Sequence, residues 1–530
     1  MAEDFDAVVV GAGFAGMYML YRLRQLGFAA RVYEAGSDVG GTWYWNRYPG
    51  ARCDVESMEY SYQFSEDLQQ EWHWTERYAA QPEILAYARH VAERFDLRRD
   101  IQFDTRVTTA AFDEGSGRWR VGTDAGDDVS ARFLIMATGC LSAANVPDVD
   151  GIDTFAGEQY HTGRWPEEGV DFTGKRVGVI GTGSSAIQAI PVIAEQAAEL
   201  YVFQRTPSYS VPARNRPLSP EEEAEIKANY REFRARNHAM PAGLGSRFTW
   251  NDTSALAVTD EEREREYEAR WEIGGFAFLG AFGDTALNAE ANEYAAEFVR
   301  RKIASIVEDP EVAELLMPRQ RIGCKRLCLD TGYYETFNRP NVHLVDISNT
   351  PIDRIVESGL VIGGRTYDLD CIIFATGFDA MTGAILRVDI TGRAGLSMRD
   401  AWADGPITYL GLGVPGFPNL FVITGPGSPS VLTNMIPAIE QHVNWIGDCV
   451  AYLRDHGYTM IEAAPDAADA WVAHVNAVAD LTLYPTCNSW YLGANVPGKP
   501  RVFMPLPGWP PYVQKCEQVV ANGYEGFVLT

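Results

Sequence analysis

The sequence predicts an α/β chain built from two doubly wound parallel-sheet units, with a helical insertion in the second. Three observations predict it. A glycine-rich turn between a short β-branched run and a helical stretch occurs twice, at Gly11–Gly16 and Gly181–Ala186. An apolar run ending in Ala-Thr-Gly follows each turn, at Phe133–Gly139 and Asp370–Gly377. Between Arg205 and Lys325 the texture becomes that of capped helices. The chain has 530 residues, room for roughly two to four domains. Its 46% apolar, 12% aromatic and 22% charged composition excludes bulk disorder.

Taken in order, Ala7–Val10 reads as a strand, Gly11-Ala12-Gly13-Phe14-Ala15-Gly16 as a turn and Met17–Leu26 as a helix. In G-x-G-x-x-G the first glycine permits the tight turn, the second admits a pyrophosphate to the backbone, and the third lets helix and strand pack closely. The next strand, Ala30–Tyr33, ends in Glu34, 23 residues after Gly11. A carboxylate there accepts hydrogen bonds from a ribose 2′-hydroxyl. This is a Rossmann-like dinucleotide-binding unit.

The grammar recurs at Arg176–Ile180, Gly181-Thr182-Gly183-Ser184-Ser185-Ala186, a helix and the strand Leu200–Phe203. Here the strand runs into Gln204-Arg205-Thr206. No carboxylate repels a 2′-phosphate and a guanidinium is present to bind one, so this unit should take NADP(H). One acid-ended and one arginine-ended unit look like a flavoprotein that binds FAD first and NADPH second. The two Ala-Thr-Gly runs resemble the segments that leave each nucleotide domain in such proteins.

Ser219-Pro220-Glu221-Glu222, Thr259-Asp260-Glu261-Glu262 and Asp309-Pro310-Glu311 are helix starts. The charge run Glu261–Glu266 reads as a solvated face. The expected organisation is an FAD-binding domain of residues 1–140 and 378–530, an NADP-binding domain of 141–212 and 322–377, and a helical insertion of 213–321.

Forty-five basic against 72 acidic residues leave a net charge of −27, a poor field for nucleic acid or anionic membrane. Six of the cations are Lys, which draws attention to Lys325 beside Arg326. The eight cysteines have neither disulfide-scaffold density nor zinc spacing, so reduced thiols, no metal and a cytoplasmic address are expected. The acidic N-terminus, Met1–Asp6, runs straight into a strand, and no apolar run reaches membrane-spanning length.

Disulfide reductases share the two-dinucleotide plan but need a cysteine pair against the flavin. Cys53 has no partner four or five residues on, and Cys324 and Cys328 follow the second glycine turn, where burial as small apolar groups is the safer reading. Instead, Phe155-Ala156-Gly157-Glu158-Gln159-Tyr160-His161-Thr162-Gly163-Arg164-Trp165-Pro166 matches F-x-G-x-x-x-H-T-x-x-W-P. Gly40-Gly41-Thr42-Trp43-Tyr44-Trp45-Asn46-Arg47-Tyr48-Pro49-Gly50, running on to Asp54, is a second long match. By these segments the chain resembles the Baeyer–Villiger monooxygenases, nearest the phenylacetone and steroid branch.

The resemblance implies that NADPH-reduced FAD and O2 form a C4a-peroxyflavin, which attacks a ketone. The resulting Criegee intermediate rearranges to an ester or lactone. It makes Arg326 the active-site cation and Asp54 the carboxylate that holds it. Gly41, Thr42 and Trp43 fall at the FAD site, Lys325 joins Arg205 at the 2′-phosphate, and Thr206 is a further cofactor-binding residue. Gly183, Ser184 and Ser185 fall at the second pyrophosphate. His161 acts through linker conformation rather than proton transfer. Trp490 resembles a mobile-loop tryptophan that closes over the nicotinamide, although a core tryptophan reads the same. Ser430, Val431, Leu432 and Met435 belong to a pocket-lining loop. Pro505–Val513 departs from the family's Gly-Gly pattern, and Trp509 there reads either as a pocket wall or as packing. Two other functions stay open here, a heteroatom (S/N) oxidising flavin monooxygenase and a silent dinucleotide sensor. Trp165-Pro166 and Lys325-Arg326 favour ketone oxidation.

Overall fold

The computed structural model describes residues 4–248 and 250–530, so Met1–Glu3 of the acidic N-terminus lie outside the described residues. Two sheets carry the molecule. The first has the order Asp389–Thr391, Val107–Asp113, Arg118–Thr123, Asp128–Met136, Asp4–Val10, Ala30–Tyr33 and Ile101–Gln102, with Leu420–Val422 also paired to Asp128–Met136. At its centre the pairing is parallel, Ala7 opposite Ala30 and Val10 opposite Met136. Central strands buried on both faces need continuous apolar runs, and Ala7–Val10 and Phe133–Met136 supply them.

The second sheet is parallel throughout, in the order Val342–Asp346, Glu199–Gln204, Arg176–Ile180, Cys371–Phe374 and Glu158–His161. Parallel neighbours require crossovers. The helices Phe14–Gln25 and Ser184–Gln196 make them between the first two strands of each glycine unit.

The helix starts read from sequence are found where expected. Ser219 caps Pro220–Ala228, Thr259 and Glu262 form a capping box on Asp260–Ile273, and Asp309 caps Pro310–Leu316. With Tyr230–Ala239 and Ala289–Ile306 these helices fill the chain between Gln204 and Cys328, outside both sheets. The helix Met435–His456 returns to the first unit, where Asn444 accepts from the Tyr18 hydroxyl at 2.8 Å and Asp448 pairs with Arg22 at 2.7 Å. Trp509–Ala521 packs behind it. Among the described residues no helix is long and apolar enough to cross a membrane.

Candidate active site

Both glycine turns are shaped by the Ala-Thr-Gly run that follows them. Gly11 (φ +103°) and Gly181 (φ +110°) lie so close to Ala137 and Ala375 that a Cβ would sit 2.8 and 2.6 Å from the respective carbonyl oxygens. A Cβ on Gly16 would overlap the Gly11 oxygen at 1.8 Å, the close packing the third position requires, while Ala186 is accommodated in the second unit. Each pair therefore works as one turn, which is why the motifs occur together.

Gly13 and Gly183 are the N-caps of the helices Phe14–Gln25 and Ser184–Gln196, and neither helix has a side-chain cap. Ser219, Thr259, Asn288, Asp309 and Asn434 cap theirs, whereas Gln81–Arg94, Tyr230–Ala239, Pro465–Asp480 and Trp509–Ala521 share the uncapped start. Uncapped first-turn N–H groups at the positive end of a helix suit a pyrophosphate, and a Cβ on Gly183 would project into open space. The donor sets thus fit two dinucleotides. At the first, Glu34 accepts from the N–H groups of Ala12 (2.7 Å) and Gly36 (2.8 Å), and burial raises its carboxyl above the ordinary value. At the second, burial lowers the Lys325 ammonium, and neighbouring Arg205 lowers it further. Neither cation forms an ion pair among the described residues, and two unpaired cations side by side make a site for a dianion.

A cavity of about 440 Å³ runs away from the first turn. Its lining includes Gly11, Gly13, Glu34, Gly41, Thr42 and Trp43 together with Asp54, Arg326, Val431, Met435, Trp490, Ser184 and Ser185. Arg326 Nε lies 3.5 Å from Asp54 Oδ2, and Nη1 donates to the Val431 carbonyl at 3.3 Å. The guanidinium stands 4.9 Å over the Phe276 ring. Burial pushes the Asp54 carboxyl up, opposed by Arg326. A permanent cation fixed by two partners and facing the cavity is what a developing oxyanion needs.

Three expected pocket residues stand apart from this lining. Ser430 turns inward, its hydroxyl donating to the Thr424 carbonyl at 3.0 Å, and Leu432 packs against the core instead. Trp509 is 1% exposed. Its backbone N–H donates to Pro241 O at 2.8 Å and its ring lies between His238 and Tyr512, so it joins the C-terminal helix to the insertion. The expectation that all thiols are reduced is corrected at one pair. Cys324 and Cys487, 163 residues apart, form a disulfide with Cα atoms 6.1 Å apart, and the remaining cysteines are free and buried. No local spacing could have signalled it.

A family model described as pyridine nucleotide-disulphide oxidoreductase matches residues 8–241. The cysteines in that span, Cys53 and Cys140, are both free, so the match carries the nucleotide-binding architecture and no disulfide chemistry. The Baeyer–Villiger monooxygenase of Pseudooceanicola batsensis is 44% identical over 535 residues, covering 100% of this chain and 97% of that protein. The chain belongs to the Baeyer–Villiger monooxygenases. The cyclohexanone 1,2-monooxygenase of an Acinetobacter species is 43% identical, over 99% of this chain and 96% of its own. The solved structure of oxidized steroid monooxygenase bound to NADP superposes with a TM-score of 0.94, at 55% identity and 99% coverage of each chain.

In this Baeyer–Villiger monooxygenase the fingerprint Phe155–Pro166 ties the second sheet to the segment Gly40–Gly50 of the first unit. Glu158–His161 is the edge strand of the second sheet, and the backbone N–H of Trp165 donates to Trp45 O at 3.3 Å, in the segment Gly40–Gly50. His161 Nδ1 accepts from the Gly163 N–H at 2.9 Å, and burial lowers the imidazole to about 4. It is therefore an uncharged acceptor that holds the Gly163 backbone. Sequence reasoning missed Gln188. Its Oε1 accepts from Tyr48 OH (2.9 Å) and Arg52 N (3.3 Å), while Nε2 donates to Arg52 O (3.1 Å) and approaches Asp54 Oδ1 (3.4 Å). One side chain of the Ser184 helix thus holds the segment that presents Asp54. Its place one turn beyond Ser184 was the signal available.

Proposed function

We propose that this chain binds FAD in the first cradle and NADP(H) in the second, and with O2 inserts one oxygen atom beside a ketone carbonyl to give an ester or lactone. The observation that carries this reading is the single cavity joining Gly11, Gly13 and Glu34 to the Asp54–Arg326 pair. The apolar walls Val431 and Met435 flank that pair and leave room for a small organic substrate. Reduced FAD supplies the oxygen-activating chemistry when bound, and the protein supplies charge stabilisation and exclusion of water.

In this reading Arg326 stabilises negative charge on the reacting oxygen atoms, and Asp54 and the Val431 carbonyl fix its direction. Arg205, Thr206 and Lys325 hold the 2′-phosphate. Gly183, Ser184 and Ser185 hold the second pyrophosphate, and Trp490 covers the nicotinamide. Residues 1–140 with 378–530 form the FAD-binding domain, 141–212 with 322–377 the NADP-binding domain, and 213–321 the insertion. NADPH supply argues for a cytoplasmic address, and that argument is independent of the cysteines, two of which are cross-linked.

The test is purified protein with NADPH, O2 and a panel of linear, aryl, cyclic and steroidal ketones. The expected result is ketone-dependent NADPH oxidation, with one atom of labelled O2 appearing in an ester or lactone. NADPH oxidation that no ketone stimulates, with no labelled ester, overturns it.

A further inference from the structure

The Pro505–Val513 departure lies outside the cavity, and the chain at its start is bonded to the segment between the cavity residues Thr424 and Val431. Gly427 N donates to Met504 O at 2.7 Å, and Leu506 N donates to Ser428 O at 2.9 Å. One turn into the helix that follows, Tyr512 is 1% exposed, and its hydroxyl donates to Leu410 O at 2.8 Å. The same hydroxyl lies 2.6 Å from His442 Nε2, and His442 Nδ1 accepts from the Thr424 N–H at 2.9 Å. Thr424 lines the cavity, and its carbonyl accepts from the Ser430 hydroxyl at 3.0 Å. The next residue, Val431, supplies the carbonyl that receives Arg326. An unbroken run of contacts therefore leads from the C-terminal helix to the active-site cation.

The backbone along this run needs holding. Thr424 (φ +54°), Ser430 (φ +43°) and Leu410 (φ +58°) are non-glycine residues in the left-handed region, a conformation that persists only where surroundings over-determine it. Each is bonded, directly or through one group, to the His442–Tyr512 pair. The bonding also fixes the tautomer. Because Nδ1 accepts, the proton sits on Nε2 and is donated to the Tyr512 oxygen, whose own proton goes to Leu410. Burial keeps the imidazole uncharged, lowering it to about 3. Met435, Ile439 and His442 share one face of the helix Met435–His456, and the first two line the cavity.

We propose that His442 and Tyr512 are positioning residues for the oxygenation reaction. As a fixed hydrogen-bond relay they hold Thr424 against the flavin site and set the Ser430–Val431 turn that aims Arg326. This rests on the function proposed above. Neither residue touches substrate, and neither transfers a proton.

The test uses the full-length, FAD-loaded protein and the variants Tyr512→Phe, His442→Asn and His442→Leu. Tyr512→Phe removes one oxygen atom without changing packing. It should retain FAD but alter the shape of the bound FAD visible band, and lower the yield of ester per NADPH oxidised about two- to tenfold, the scale of one lost hydrogen bond. His442→Asn keeps an acceptor for the Thr424 N–H and should retain more of that yield than His442→Leu. Nitrogen-15 shifts of labelled histidine should report His442 as the neutral Nε2–H tautomer. A Tyr512→Phe protein with an unchanged FAD band and unchanged yield, or the opposite tautomer at His442, overturns the proposal even if His442→Leu does not fold. If the unmodified protein makes no ester from any ketone, the functional reading fails alone, and the FAD band and the tautomer still decide the relay.

Discussion

Arg326 and Asp54 meet at 3.5 Å in the cavity wall, and the same guanidinium donates to Val431 O at 3.3 Å. A planar fork can satisfy both partners at once, whereas an ammonium is a point charge on a flexible stem. Arg326→Ala and Arg326→Lys should therefore both lose ester formation by about 10²- to 10³-fold while the protein remains yellow, because the first cradle is untouched. Product analysis alongside FAD content checks this. Near-normal ester yield from Arg326→Ala would make the arginine structural.

Arg205 and Lys325 stand together without carboxylate partners among the described residues. Each charge-assisted contact to a phosphate is worth about 1.5–3 kcal/mol, so kcat/KM should favour NADPH over NADH by roughly tenfold or more. Arg205→Ala should erase most of that preference by raising the KM for NADPH and leaving that for NADH. Equal KM values for the two nucleotides in the unmodified protein sink the assignment.

The two nucleotide units were legible because their chemistry is local. A strand, a glycine turn and a helix within one stretch set Gly11, Gly181 and the Ala-Thr-Gly partners, and short-range caps at Ser219, Thr259 and Asp309 marked the insertion. What escaped depends on distant contacts. Gln188 becomes informative only when Tyr48, Arg52 and Asp54 fold beside it. The Cys324–Cys487 bond joins segments with no sequence relation. Trp509 was ambiguous because proline-rich turns carry no signal of which way an aromatic ring points, and the fold turned it into the core.

Burial of Trp509 makes its substitution a stability experiment. Trp509→Ala empties a fully buried site between His238 and Tyr512 and should cost about 3–5 kcal/mol in unfolding free energy. The kcat/KM ratio between a small and a bulky ketone should stay the same in the folded fraction. A selective loss of the bulky ketone at unchanged stability would return Trp509 to the pocket.

Cys324 directly precedes Lys325-Arg326, and Cys487 lies three residues before Trp490, so their bond tethers the segments proposed to close on NADP(H). A cross-link spanning so long a loop restricts the unfolded chain, and its loss should cost about 2–4 kcal/mol. Cys487→Ser, or the unmodified protein with reductant, should melt earlier and show a higher KM for NADPH. Identical melting and KM with and without reductant would mean the tether contributes nothing.

Stability should also depend on pH in opposing directions. Buried His442 and His161 are lowered to about 3 and about 4 from the ordinary 6.5. The unfolded chain binds their protons first, so their contribution is lost as pH falls from 6.5 toward those values. Glu440 behaves oppositely. Burial raises it from 4.5 to about 7, although its Oε1 accepts from the N–H groups of Gln63 (2.7 Å) and Phe64 (3.0 Å). Between 4.5 and 7 the folded state holds this proton more tightly than the unfolded chain, so stability falls as pH rises through that window. Glu59, buried and beside Glu56, is raised as well and acts with the same sign. Glu440→Gln keeps the amide acceptor for Gln63 and Phe64 but cannot ionise. Its Tm should match the unmodified protein near about pH 4.5 and exceed it near about pH 8, with the gap opening across the Glu440 window. Thermal melts of both proteins over that range check this. A Tm difference that does not vary with pH would show that Glu440 is ionised in the folded state throughout.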